Sequence, residues 1–275
     1  MTKLIDGKTL AQNILLDLKI KITKLNRPPG LATILIGDDP ASQLYVKTKK
    51  KTCLKIGIEF HDYLCGGRLC PDITQNEILE MIDWLNHDST VDGIIVQLPL
   101  PKKFNAQKII DRIDPKKDVD GFHPKNKLKL IEPPLVGAIK LALQSTGEKL
   151  SGKKTVVISK NPIFSAPLIK SLAAAGLKLK TVEPDDKNLK AITKAADVLI
   201  TVVGQKSLVK KSMIKDDVII IDAGSTLIGE NQWAGDVDPA VKKIASWFTP
   251  VPGGIGPLTV AMLLKNTYEL AKHNQ

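Results

Sequence analysis

The chain has 275 residues, 43% of them hydrophobic and 25% charged, and a formal net charge of +11 from 40 Lys and Arg against 29 Asp and Glu. That length suits two domains, each able to bury its own core, and the composition is ordinary for a globular protein. An aromatic share of 4% argues against stacking platforms for single-stranded nucleic acid. No apolar run approaches the roughly 20 residues of a membrane span.

The first 22 residues, MTKLIDGKTLAQNILLDLKIKI, are amphipathic rather than signal-like, so a cytoplasmic protein is the expectation. LATILIG, IEFHDYL and VDGIIVQL then read as strands, with helices at ASQLYVKTKKKTCLKI and TQNEILEMIDWLN. Asp39 can cap the first of these helices, and Pro40 suits its opening turn. Ser42, Tyr45 and Lys49 then lie on one face at spacings of three and four. Such a stripe is either proton-transfer machinery or a solvated face, and residue types alone leave both open. Cys53 lies in the same helix, while His61, Cys65 and Cys70 cluster in HDYLCGGRLC without the spacing of a zinc site, so no metal is expected.

Gln97 closes the strand VDGIIVQL, where α/β sheets place ligands, although capping a turn is an equal alternative. LPLPKKF and RIDPKKDVDGFHPKNK are loops. Asp114, Asp118 and Asp120 in the second, with lysines between them, favour turn chemistry over a metal cage. KTVVIS, LKLKTVE, ADVLITVVG and DDVIIIDAG follow, alternating with helices at APLIKSLAAAG and NLKAITKAA, which predicts a Rossmann-type parallel sheet. TPVPGGIGPLT sets three prolines and three glycines just before a final helix, where backbone amides can approach a ligand closely. The expected architecture is two α/β domains. The first spans 1–121, with the helix at 255–275 packing back on it, and the second spans 122–254.

ASxxYVxxKxK, VDGIIVQLPLP, DPKKDVDGFH, GDVD and TPVPGGIGPLT occur in the order and separation found in the bifunctional methylenetetrahydrofolate dehydrogenase/methenyltetrahydrofolate cyclohydrolases. The chain resembles that family over essentially its whole length. The resemblance implies NAD(P)-dependent oxidation of methylenetetrahydrofolate, then hydrolysis to formyltetrahydrofolate, in a folate cleft between the domains. It makes Lys49 the catalytic lysine, with Tyr45 beside it and Gln97 hydrogen-bonded to its amine. A lysine shielded in a cleft loses charge stabilisation and can manage protons near neutrality. By the same resemblance Asp120 grips the pterin, Tyr45 and Ser42 orient the folate, and Pro252, Gly253 and Gly254 line the cleft. The implied cofactor is NADP, with NAD the alternative. Implied too are tetrahydrofolate substrates with polyglutamate tails that the basic surface would attract, a homodimer, and a place in one-carbon metabolism and purine biosynthesis.

The cofactor side departs from the family pattern. G-R-S-x-x-V-G-x-P reads SKNPIFSAP here, so Ser159, Lys160 and Asn161 replace Gly-Arg-Ser, and Ser165 replaces the second glycine. Serine brings a Cβ into space that glycine leaves open to phosphate. Cofactor contacts nonetheless map to Ser159, Lys160, Asn161 and Ser225. Where the family shows His-Ser, this chain has VEPDDKN; Glu183, Asp185 and Asp186 would repel a ribose 2′-phosphate, and an acid there can accept from a free 2′-hydroxyl. P-C-T-P-x-G reads EPPLVG. The alternative function is therefore a cyclohydrolase alone, with a degenerate dinucleotide site. A short-chain dehydrogenase also uses Y-x-x-x-K, but LIDGKTLAQNILL lacks the glycine-rich turn it needs. A nucleic-acid-binding module finds no motif beside the scattered lysines.

Overall fold

The computed structural model of the chain describes residues 2–67, 72–126, 131–230 and 232–275. In chain order, β1 (Lys3–Leu4) and α1 (Gly7–Ile22) precede β2 (Gly30–Ile36), α2 (Pro40–Ile56), β3 (Glu59–Cys65), α3 (Gln75–His87) and β4 (Gly93–Val96). Then come α4 (Ala106–Ile110), α5 (Pro134–Gln144), β5 (Lys154–Ser159), α6 (Pro162–Ala174), β6 (Lys178–Val182), α7 (Leu189–Lys194), β7 (Val198–Val202) and β8 (Ile219–Asp222). A hairpin of β9 (Thr226–Gly229) and β10 (Gln232–Ala234), the short β11 (Trp247–Phe248) and α8 (Ile255–Asn274) complete the chain.

Two compact units result: Gln12–Pro134 with Val260–Gln275, and Met1–Ala11 with Leu135–Thr259. The N-terminal residues belong with the second unit. The physical cause is strand pairing: β1 runs parallel to β11, with Lys3 N donating to Ser246 O at 2.8 Å and Ile5 N to Phe248 O at 3.0 Å.

The first unit holds a three-stranded parallel sheet in the order β3-β2-β4. Every residue of β2 is buried, as a central strand covered on both faces requires. Its alternation divides the core. Leu31 faces one cluster with Leu18, Cys53, Ile95, Leu263 and Leu264, whereas Ala32, Ile34 and Ile36 face another with Ile78, Ile82, Ile94 and Ile109. Asp39 caps α2, its carboxylate accepting from Ser42 N at 2.8 Å, and Pro40 opens the helix. Thr74 and Glu77 form a reciprocal capping box at the start of α3.

The second unit is built on a six-stranded parallel sheet, β1-β11-β8-β7-β5-β6. The four strands expected from their apolar runs stand side by side as β8-β7-β5-β6, with β6 at one edge, and the two-residue strands β11 and β1 extend the other. Val156, Ile158, Leu199, Ile220 and Phe248 share one of its cores.

Candidate functional site

The register of α2 selects which of its lysines leaves water. Ser42, Val46, Lys49, Cys53 and Ile56 form the buried face, at helical spacings, while Lys47, Lys51 and Lys55 are exposed. Lys49 is only 9% exposed. Its Nζ donates to Gln97 Oε1 at 2.9 Å. Gln97 is held in turn: its backbone N donates to Ile34 O at 2.8 Å, and its Nε2 donates to Leu98 O at 2.7 Å. The amide thus presents its oxygen to the lysine by construction. Tyr45 is half-buried on the neighbouring part of the helix, and Ser42 is buried one turn before it.

Asp120 arrives from the loop after α4. Asp118, itself 1% exposed, organises that loop by accepting from Gly121 N at 3.0 Å and His123 N at 2.9 Å. His123 accepts from Lys125 N at its Nδ1, which leaves its Nε2 to donate to Asp111 O at 3.1 Å. Asp114 accepts from Lys116 N at 2.9 Å, an Asx-type turn. Behind the loop, Asn266 of α8 donates to both Val119 O and Glu132 O at 2.9 Å. Gly93 lets Val119 lie against β4, since a Cβ there would meet Val119 Cγ1 at 2.3 Å. The sequence reading missed Asn266 and His123, because a polar residue within an otherwise buried helix or loop does not announce its partner.

The electrostatics of these groups are coupled. Burial holds the Lys49 ammonium below the ordinary lysine range, while Asp120 and Cys53 pull it back up. The Asp120 carboxyl is pushed up to about 7, mainly by burial, with Lys49 lowering it and Asp118 raising it. Part of the Asp120 surface still meets solvent, so the shift reflects protein packed around the carboxyl rather than full enclosure. Cys53, one turn along α2, is pushed up to about 12 by burial, which leaves a neutral thiol beneath the lysine. A buried amine of weakened basicity, a carboxyl near neutrality and an oriented amide together form an acid–base constellation.

Pro252, Gly253 and Gly254 belong to the other unit, in the loop before α8, where Gly253 O accepts from Lys8 N at 2.9 Å. Ser159, Lys160, Asn161 and Ser225 lie at the carboxyl edge of the six-stranded sheet, Ser159 ending β5, Lys160 and Asn161 following it, and Ser225 following β8. That edge is where parallel sheets bind nucleotides. The first amides of α6 are already committed: Pro162 has none, Ile163 N donates to Asn161 Oδ1 at 3.0 Å, and Phe164 N and Ser165 N donate to Asn161 O. Lys160 is exposed beside them. Glu183, also exposed, is the first residue beyond β6, and the pairing of Val182 with Ile158 puts it level with Ser159. These donors and acceptors fit a dinucleotide held by side chains, with a lysine for phosphate and a carboxylate for ribose, more than one held by free helix amides.

Among the described residues no group of three or more His, Cys, Asp or Glu side chains could hold a metal ion. Cys70, grouped in the sequence with His61 and Cys65, lies outside the described residues.

Comparison with known proteins bears on both units. Residues 5–120 match the catalytic domain of the tetrahydrofolate dehydrogenase/cyclohydrolases, and residues 134–275 match the NAD(P)-binding domain of the same family. The bifunctional protein FolD of Ruthia magnifica is 41% identical over 271 residues, covering 96% of each chain. The crystal structure of the bifunctional FolD from Campylobacter jejuni superposes with a TM-score of 0.92 at 39% identity, covering all of both chains. The FolD of Trypanosoma brucei, solved with NADP and an inhibitor, gives 0.91 at 29% identity, covering 99% of this chain and 98% of that one. The chain belongs to the bifunctional methylenetetrahydrofolate dehydrogenase/methenyltetrahydrofolate cyclohydrolase family.

Proposed function

We infer that the chain oxidises methylenetetrahydrofolate with a nicotinamide dinucleotide and hydrolyses the methenyl product to formyltetrahydrofolate, with Lys49 as the group that moves protons. The buried Lys49 amine, fixed by Gln97 Oε1 at 2.9 Å, carries this reading. The bound dinucleotide supplies the hydride acceptor for the first step. In the second, water adds to the electrophilic methenyl carbon and Lys49 takes its proton. One C–N bond of the five-membered ring then breaks, and the proton passes to the departing nitrogen, leaving the formyl group. A lysine whose charged form is disfavoured by burial can accept that proton, and Gln97 accepts a hydrogen bond from the amine in either protonation state. Asp120 pairs with the ring N–H and amino group of the pterin, Tyr45 and Ser42 orient the folate, and Pro252, Gly253 and Gly254 line its path.

On the cofactor side, Ser159, Lys160, Asn161 and Ser225 hold the dinucleotide. Glu183 favours NAD over NADP, because it accepts from a 2′-hydroxyl and repels a 2′-phosphate. The enzyme acts in the cytoplasm on polyglutamylated folates and supplies formyl groups to purine biosynthesis. Two copies join through the outer edge of β3, a strand that among the described residues pairs with β2 on one side and leaves Leu64 51% exposed. Sedimentation of the chain as a monomer would remove that last element.

The direct test is hydrolysis of added methenyltetrahydrofolate. Lys49→Met is expected to lower the rate about 10²–10⁴-fold, the usual worth of a positioned proton-transfer group. Gln97→Ala should give a smaller loss. Hydrolysis at the wild-type rate in Lys49→Met would refute the assignment.

A further inference from the structure

Two carboxylates stand apart from the chemistry above. Asp222 is 1% exposed and Asp236 is fully buried, and no ion pair among the described residues includes either. Buried charge without a cation is costly unless hydrogen bonds satisfy it. Here donors surround both groups. Asp236 accepts from Thr201 Oγ1 at 2.6 Å and Val203 N at 2.9 Å on one oxygen, and from Gln205 N at 2.7 Å on the other. Asp222 accepts from Gly224 N and from Asp236 N, both at 3.1 Å, and from Val237 N at 2.9 Å. The packing leaves no room for more: a Cβ on Gly224 would meet the Asp236 carboxyl at 2.0 Å, and one on Gly235 would meet Asp222 Oδ2 at the same distance.

The donors belong to backbone with a defined place. Residues 203–205 leave the carboxyl end of β7, whose Val202 pairs with Ser159 at the end of β5. Gly224 and Ser225 leave the carboxyl end of β8, and Ser225 O faces the α-carbon of Gly204 closely enough that a Cβ there would lie 3.7 Å away. Asp236 therefore pins one strand-end turn of the nucleotide edge. Asp222 holds Asp236 in register and fixes the next turn. The strands themselves pair through their main chains.

We propose that Asp236 is a positioning residue of the dinucleotide site, its carboxylate fixing the 203–205 turn at the carboxyl edge of the sheet, with Asp222 fixing Asp236. The proposal rests on the NAD(P)-binding role of this unit. Asp236→Asn keeps the shape but turns one acceptor into an NH2 that faces a donor, so the turn must move. In the full chain, the dissociation constants for NAD and NADP, read by calorimetric titration, are expected to rise at least tenfold. The maximal oxidation rate at saturating dinucleotide should stay within about threefold, and methenyl hydrolysis without dinucleotide should stay within twofold.

Unchanged dissociation constants would overturn the proposal. So would an equal fall in binding, hydrolysis and melting temperature, the signature of a purely structural residue. Thr201→Val removes a single donor and serves if Asp236→Asn does not fold: a dissociation constant raised about threefold supports the proposal, and an unchanged one overturns it. Wild-type protein that hydrolyses methenyltetrahydrofolate but binds neither dinucleotide would instead sink the NAD(P) role itself, and the proposal with it.

Discussion

Lys49 shares α2 with lysines that stay in water, and helical register alone separates them. The sequence spacing of Ser42, Tyr45 and Lys49 left open whether their stripe was proton-transfer machinery or a solvated face; the burial of Ser42, Val46, Lys49, Cys53 and Ile56 turns that face away from solvent. Asp120 is the other residue on which a measurement can bear. Its carboxyl titrates at about 7 because burial disfavours the charge more than Lys49 restores it. With Asp120 binding the pterin donors as proposed, its ionised form is the one that accepts, so kcat/KM for methenyl hydrolysis should fall as pH drops below about 7 and level off above it. Asp120→Asn should lower the plateau and erase that limb; a wild-type limb that survives the substitution would assign the titration to another group. The partners of Asp118, His123, Asn266, Asp222 and Asp236 were not legible in the sequence. Each is a polar side chain whose acceptors or donors come from backbone distant in the chain, and only the fold brings them together.

At the scale of elements, the buried strands and the two capped helices were readable because each carries a local signal. An apolar run marks β2, β5, β7 and β8, and cap residues mark the starts of α2 and α3. β1 and β11 carried none. Two residues have no periodicity, and their strand character is conferred by the pairing of Lys3 with Trp247 and of Trp247 with Ile219. The caps make a separable prediction. Thr74→Ala removes the hydroxyl's bonds to Glu77 on α3, keeping the one from the residue-74 backbone N, and should cost about 1 kcal/mol by denaturant unfolding while leaving both activities intact. Asp39→Ala should cost a similar amount and also slow hydrolysis, because α2 carries Lys49. Equal effects on activity from the two caps would contradict the placement of the chemistry on α2.

At the scale of the molecule, a net charge of +11 matters for encounter rather than for fold. If the surface attracts polyglutamate tails, KM for a triglutamyl substrate should lie below that of the monoglutamate and rise towards it as salt is added. A salt-independent difference would mean direct tail contacts. The two units differ in how plainly their sequence declares its task. In the first unit, Lys49, Gln97 and Asp120 match the family pattern; Gln97 holds Lys49, and Asp118 organises the loop that carries Asp120. On the nucleotide side, Asn161 engages the first amides of α6, and the exposed Glu183 follows directly after β6, level with Ser159. The most direct test of the bifunctional account is the absorbance of methenyltetrahydrofolate formed from methylenetetrahydrofolate, with NAD, with NADP and with neither. Methenyl compound should form only with a dinucleotide, faster with NAD, and its signal should then decay as the product is hydrolysed. No formation with either dinucleotide, in protein that rapidly hydrolyses added methenyl compound, would contradict the bifunctional account.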